Sequence, residues 1–298
     1  MASRKSETKT SEKTNTRPAR PDRLILTCEH AGNRVPARYR PLFVGMVRHL
    51  LPTHRGWDPG ALLLARELAR RFSAPLYFDE ATRLLVDLNR SIGNPELHSE
   101  ATRHLTLKER REILDAYYHP HRTTVDEAVA AAVGEGVRVM HVASHSFTPE
   151  LHGHVRTADI GMLYDPSRPG EVAFATAWID ALRAADPTLR LRRNYTYLGK
   201  SDGVTMKLRR AHAPDRYVGV ELEVNQRFVE AGGMLPDERL DLRHVARDVA
   251  RGKVGSLVDY HARVDASGSG TAVAGRAGRK LDAILDILAA FRERIAPE

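Results

Sequence analysis

The chain has 298 residues, 42% hydrophobic and 28% charged, with a formal net charge of +8 and one cysteine. That is enough apolar length for one large core or two small ones, while a lone thiol excludes both an internal disulfide framework and a zinc cluster of several thiolates. No run reaches the roughly 18 to 20 apolar residues of a membrane helix, and aromatic residues are only 6% of the chain, so the positive charge lacks the stacking platforms favoured for nucleic acid.

The first segment, residues 1–21, is polar and basic, has no apolar core of the secretory kind, and reads as a disordered tail. A reducing cytoplasm is the expected location. Apolar runs of strand length then alternate with helical patterns, as in an α/β domain with a mainly parallel sheet. Strands are expected at 24–29, 75–79, 83–88, 137–144, 160–164, 189–195 and 217–225, and helices near 59–72, 106–134, 169–185, 203–212 and 237–263. Thr106 and Glu109 form a T-x-x-E capping box at the head of the second helix, and Pro120 should break or kink it. The expected domain therefore covers 22–264. Residues 265–279 (DASGSGTAVAGRAGR) read as a flexible linker. In the final segment, 280–298, Leu281, Ile284, Leu285, Leu288, Phe291 and Ile295 make the apolar stripe of a separate helix, which must dock on the main domain or pair with a second subunit.

Ligand crevices of open α/β sheets lie beyond the carboxyl ends of the strands. His30 closes the first expected strand in LILTCEHAGNRVP, His145 closes HVASH, and Glu221, Glu223 and Asn225 share one face of VELEVN by period-two alternation. An unpaired buried glutamate costs several kcal/mol, so a cation, a partner or a wet cleft is expected beside that face. Two histidines and a carboxylate make a catalytic zinc set with an open fourth position. Asp58, before Pro59 in HRGWDPGA, serves equally as a helix N-cap or as a ligand. Arg83 and Asn89-Arg90 flank RLLVDL, where a guanidinium fork beside an amide suits a carboxylate; Asp87 braces the arginine. Cys28 as a nucleophile would need His30 as its base, but strand residues two apart sit about 6 to 7 Å from one another, and a small buried thiol is the simpler reading.

The ordered series CEHAGNRVP, GWDPGALLLARELA, TRLLVDLNRS, HPHR, ASHSFTP with a later Arg156, GMLYD and VELEVNQRFV resembles the N-formylglutamate amidohydrolase family over roughly residues 23 to 260. The resemblance implies a single three-layer α/β/α domain with a mixed, mainly parallel sheet, phosphorylase/hydrolase-like and related to zinc carboxypeptidases and aspartoacylases. It also implies metal-dependent hydrolysis of an N-acyl amino acid such as N-formyl-L-glutamate, a small carboxylate-bearing substrate, with a deacylase or peptidase of another such amide as the alternative. By this resemblance His30 and His145 are zinc ligands and Asp58 is the third; the position three after the first histidine, acidic in the relatives, is Asn33 here, and Glu29 points to the opposite strand face. Glu223 takes the place of the general base, with Glu221 as the alternative, and Arg83 that of the oxyanion-side arginine. Asn89, Arg90, Arg156 and His121 stand as substrate-binding candidates.

Overall fold

The computed structural model describes residues 22–228. The expected N-terminal tail, the helix at 237–263, the linker and the C-terminal helix lie outside these residues. The strands are β1 (Asp22–Cys28), β2 (Leu76–Phe78), β3 (Arg138–Phe147), β4 (Glu150–Leu151), β5 (His154–Val155), β6 (Ile160–Leu163), β7 (Leu191–Arg193) and β8 (Tyr217–Asn225). The helices are α1 (Met46–Leu50), α2 (Ala61–Phe72), α3 (Leu107–Ile113), α4 (His119–Gly134), α5 (Pro169–Ala185) and α6 (Val204–Ala211). Six strands form one sheet in the order β2-β1-β3-β8-β6-β7, while β4 and β5 make a separate two-stranded ribbon. Neighbours in the sheet are parallel except β6 and β8, which run antiparallel.

Alternation along the strands sorts the sheet into two faces. Leu26, Val142, Val220 and Leu222 pack against Leu64 and Leu68 of α2 and Phe174, Trp178 and Ile179 of α5. Ile25, Val139 and Tyr217 meet Val125 and Val129 of α4 and Val204 and Leu208 of α6. Each buried aliphatic contributes roughly 1.5–3 kcal/mol to the two interfaces. The result is the expected three-layer α/β/α architecture with a mixed, mainly parallel sheet.

On the first face Ser144 and Ser146 donate to Ala61 O and Pro59 O at the head of α2, and the strand histidines and glutamates lie on the second. Towards its middle the buried His141 ring bridges the Thr27 hydroxyl at 2.9 Å and the Tyr217 hydroxyl at 2.6 Å. Further along, at the carboxyl ends of β3 and β8, His145 stands opposite Glu223 in the ladder.

Two expectations change. Residues 83–88 form turns rather than a strand: the Leu85 N–H bonds to Thr82 O at 2.9 Å and the Asp87 N–H to Leu97 O at 3.0 Å. Leu84, Leu85, Val86 and Leu88 are nonetheless buried, in a cluster with Tyr39, Phe43, Ile113 and Tyr118. A short continuous apolar run signals burial without specifying the backbone that achieves it. Pro120 also leaves its helix unbroken. The capping box forms at Thr106, and a π turn over Leu114–Tyr118, in which the His119 N–H reaches back to Leu114 O, joins α3 to α4. The wider turn accommodates a proline that lacks an N–H and crowds the preceding carbonyls.

Candidate metal centre and cleft

β1 ends at Cys28 and the chain turns at Glu29 and His30, which carries the His30 ring over the end of the sheet. The Asp58 N–H bonds to His30 O at 3.0 Å, so the loop leading into α2 is tied to that turn. Asp58 does not cap the helix: Gly60 is the N-cap residue, and its φ of 82° is a left-handed conformation favourable to glycine. The Asp58 carboxylate turns inward instead, with Oδ2 lying 3.2 Å from His30 Nδ1 and 2.9 Å from His145 Nδ1. The two rings are 5.1 Å apart, and one donor atom from each of the three buried residues falls within 4.8 Å of the others.

This donor set fits a divalent cation. Two imidazole nitrogens converge on one carboxylate oxygen, and the far nitrogen of His30 is held by Asp87 Oδ1 at 2.7 Å, an arrangement in which Nε2 keeps the hydrogen and Nδ1 offers its lone pair. Burial pushes the Asp58 carboxyl up, but His30 and His145 hold it well below the ordinary carboxylate range. Burial and Arg83 work against protonation of His30, yet Asp87 and Asp58 raise its pKa. Asn33, one alternative to Asp58, spends its amide N–H on Leu51 O at 3.0 Å. Glu29, the other, approaches His145 from the side of Nε2, away from the converging atoms.

The three residues stand with Glu223 beside a cleft of about 370 Å³ that is also lined by Arg83, Asn89, Arg90 and Arg156. Burial raises the Glu223 carboxyl to about 7, and its Oε2 has no hydrogen-bond partner among the described residues. Glu221 differs, because the Thr205 hydroxyl donates to its Oε1 at 2.6 Å. Arg83 is anchored on Asp87 at 2.7 Å and reaches Asp58 at 3.5 Å, so Asp87 braces both this arginine and His30. Asn89 accepts the Val204 N–H at 2.8 Å, while Arg90 donates to Asp202 O at 3.2 Å and to exposed Glu96 at 3.2 Å. The Arg156 guanidinium lies over the rings of Phe147 and Tyr197 and pairs with no carboxylate among the described residues.

The remaining predicted residues lie off the cleft. His121 is buried on α4 and is not part of the lining. Cys28 packs with Ala31, Ala61, Leu62 and Ala65 on the α2 side, where burial, Glu29 and Asp58 push its thiol well up, away from the thiolate a nucleophile needs. His54 and Tyr197 line the cleft without having been picked out from the sequence. Asn225 also has an unforeseen part: its amide donates to Arg156 O at 3.1 Å and Ala158 O at 2.8 Å, holding the segment that carries the arginine.

Among the described residues no helix is long and apolar enough to cross a membrane. No curated protein matches the sequence. The Agrobacterium tumefaciens gene product Atu2144 is similar in structure, with a TM-score of 0.61 at 26% identity over 90% of this chain and 91% of that one. The N-formylglutamate amidohydrolase of Ralstonia eutropha JMP134 shares the fold, with a TM-score of 0.58 at 16% identity over 93% of this chain and 96% of that one. The family model of N-formylglutamate amidohydrolase matches residues 22–229, a span that holds the whole sheet, the converging His30, Asp58 and His145, and the cleft beside them. The chain therefore belongs to the N-formylglutamate amidohydrolase family.

Proposed function

We propose that the chain hydrolyses N-formyl-L-glutamate, or a closely similar N-acyl dicarboxylic amino acid, to the free amino acid and the carboxylic acid, and that it does so with one divalent metal ion held by His30, Asp58 and His145. The observation that carries the reading is the convergence of two Nδ1 atoms and one carboxylate oxygen beside an unpartnered glutamate. Zinc suits this donor set, which also tolerates manganese, iron or cobalt. When bound, such an ion supplies Lewis-acid polarisation of the amide carbonyl and acidifies a water molecule.

The protein's own groups account for the rest. Glu223, raised by burial and free at Oε2, accepts a proton from the attacking water and delivers it to the leaving nitrogen. Glu221, already bonded to Thr205, is less suited to that exchange. Arg83, fixed by Asp87, offers a preorganised cation to the charge that develops on the amide oxygen. Arg156 and Arg90, with Asn89 beside the latter, give the cleft two further cationic positions, which suits a substrate with two carboxylates.

The test is elemental analysis of the purified protein joined to a formate-release assay before and after chelation. About one equivalent of a transition metal per chain, with activity lost on chelation and restored by metal, is expected. A protein that holds no metal and releases formate undiminished in chelator would overturn the reading.

A further inference from the structure

We propose that Glu29 is a positioning residue: its carboxylate accepts the Nε2 hydrogen of His145, which turns the Nδ1 lone pair of that ring toward the cation site, and His121 orients Glu29 from behind. The proposal rests on the metal-centre reading above.

Glu29 is buried, and among the described residues neither carboxylate oxygen makes a hydrogen bond of good geometry. Its Oε2 lies 3.3 Å from His145 Nε2 and its Oε1 lies 3.9 Å from His121 Nε2, a nitrogen that also has no hydrogen-bond partner among the described residues. A carboxylate so enclosed costs several kcal/mol unless nearby donors compensate it. Glu29 does not line the cleft, so substrate cannot supply them. The two imidazoles are the polar groups placed to do so.

The second ligand histidine has the same arrangement at shorter range, with His30 Nε2 at 2.7 Å from Asp87. Each converging ring therefore has a carboxylate behind it. For His145 the carboxylate weighs on which of the two nitrogens carries the hydrogen. The Asn89 amide nitrogen lies 3.4 Å from the same Nε2, and its oxygen is committed to the Val204 N–H, so the amide presents a donor to the ring. Asn89 alone would favour a bare Nε2 with the hydrogen on Nδ1, where it blocks a cation. Glu29 favours the opposite tautomer; Asp58 Oδ2, 2.9 Å from Nδ1, competes for the hydrogen until a cation takes the Nδ1 side, and the hydrogen then falls to Glu29. This also gives His121 a place in the molecule that the cleft does not.

The experiment uses the full chain stripped of metal by dialysis and titrated with Co²⁺, read by visible absorption and by chelator competition. Glu29→Gln keeps the shape and removes the anionic acceptor. It is expected to weaken Co²⁺ binding by roughly 10- to 100-fold while the far-UV circular dichroism is unchanged. His121→Asn is expected to weaken binding less, and to add nothing in the Glu29→Gln background. Wild-type Co²⁺ affinity in Glu29→Gln overturns the proposal, as does a full additional loss from His121→Asn in that background.

A second measurement needs no variant. Imidazole ¹⁵N shifts of the wild type loaded with Zn²⁺ are expected to place the ion on Nδ1 of His145 and the hydrogen on Nε2. A hydrogen on Nδ1 overturns the proposal even if Glu29→Gln fails to fold. A wild-type chain that binds neither Co²⁺ nor Zn²⁺ defeats the metal-centre reading instead, an outcome distinct from a wild type and a Glu29→Gln variant that bind the ion equally well.

Discussion

Glu223 lies directly across from His145 in the parallel β3–β8 ladder, so the proposed base and a proposed ligand are fixed to each other by backbone hydrogen bonds instead of by mobile loops. Glu223→Gln retains size and removes the proton acceptor. A fall in kcat of roughly 10²- to 10⁴-fold is expected, with metal content unchanged by elemental analysis. Glu221→Gln is expected to cost far less, since its carboxylate serves Thr205.

Asp58 stands between the two histidines, and its loss removes the carboxylate oxygen that completes the donor set with their Nδ1 atoms. Asp58→Asn is expected to lower metal affinity by at least tenfold, measured by chelator competition, and to lower activity in proportion to metal lost. Because the side chain does not cap α2, helix content by circular dichroism is expected to stay the same.

The Arg156 guanidinium has aromatic faces beside it and no carboxylate among the described residues. Arg156→Gln is expected to raise KM for N-formylglutamate by about 10- to 100-fold, equivalent to about 1.5–3 kcal/mol for a charge-assisted contact. A smaller change is expected for an N-formyl amino acid with a single carboxylate. Equal effects on the two substrates would remove Arg156 from recognition of the side-chain carboxylate.

Two buried groups give opposite pH dependences of stability. Burial lowers His141 from 6.5 to about 4, so the unfolded chain binds the extra proton first and stability is lost as pH falls through that window. Burial raises Glu223 from 4.5 to about 7, so the folded chain binds the proton first and stability is lost as pH rises through that window. Each contribution is about 3 kcal/mol at its limit. In chelator, denaturant unfolding from pH 4 to 7 is expected to show Glu223→Gln losing more stability on acidification than wild type, and His141→Asn losing less.

Cys28→Ala tests the thiol reading directly. The side chain is enclosed beneath α2, so the expected outcome is full activity per bound metal and a stability loss of about 1 kcal/mol from the small cavity. Loss of nearly all turnover with metal still bound would reinstate the thiol.

Much of this arrangement is legible along the chain, because a parallel sheet collects functional groups at strand ends. That rule sets His30 and His145, 115 positions apart in the sequence, at one end of the sheet, and the VELEVN alternation puts Glu221 and Glu223 on one face. The capping box at Thr106 is a local motif and formed as read. What escaped was tertiary. Asp87 reads locally as the partner of Arg83, four positions away, and nothing nearby in sequence shows that its other oxygen holds His30. Glu29 was assigned by strand alternation, but the strand stops one residue earlier, and the turn lets Glu29 and His30 reach different sides of His145. His54 and Tyr197 line the cleft from loops whose course no periodicity encodes.

The reversal of β6 relative to β8 has an evolutionary consequence. The start of β6, paired as Ile160 with Val224, lies at the same end of the sheet as the close of β3, so the chain makes an excursion over residues 148–159 without a crossover helix. That excursion carries the β4–β5 ribbon and Arg156. Lengthening or trimming it would reshape the rim of the cleft while the proposed base and ligand on β3 and β8 stay in place, a route by which substrate preference can change through insertion and deletion.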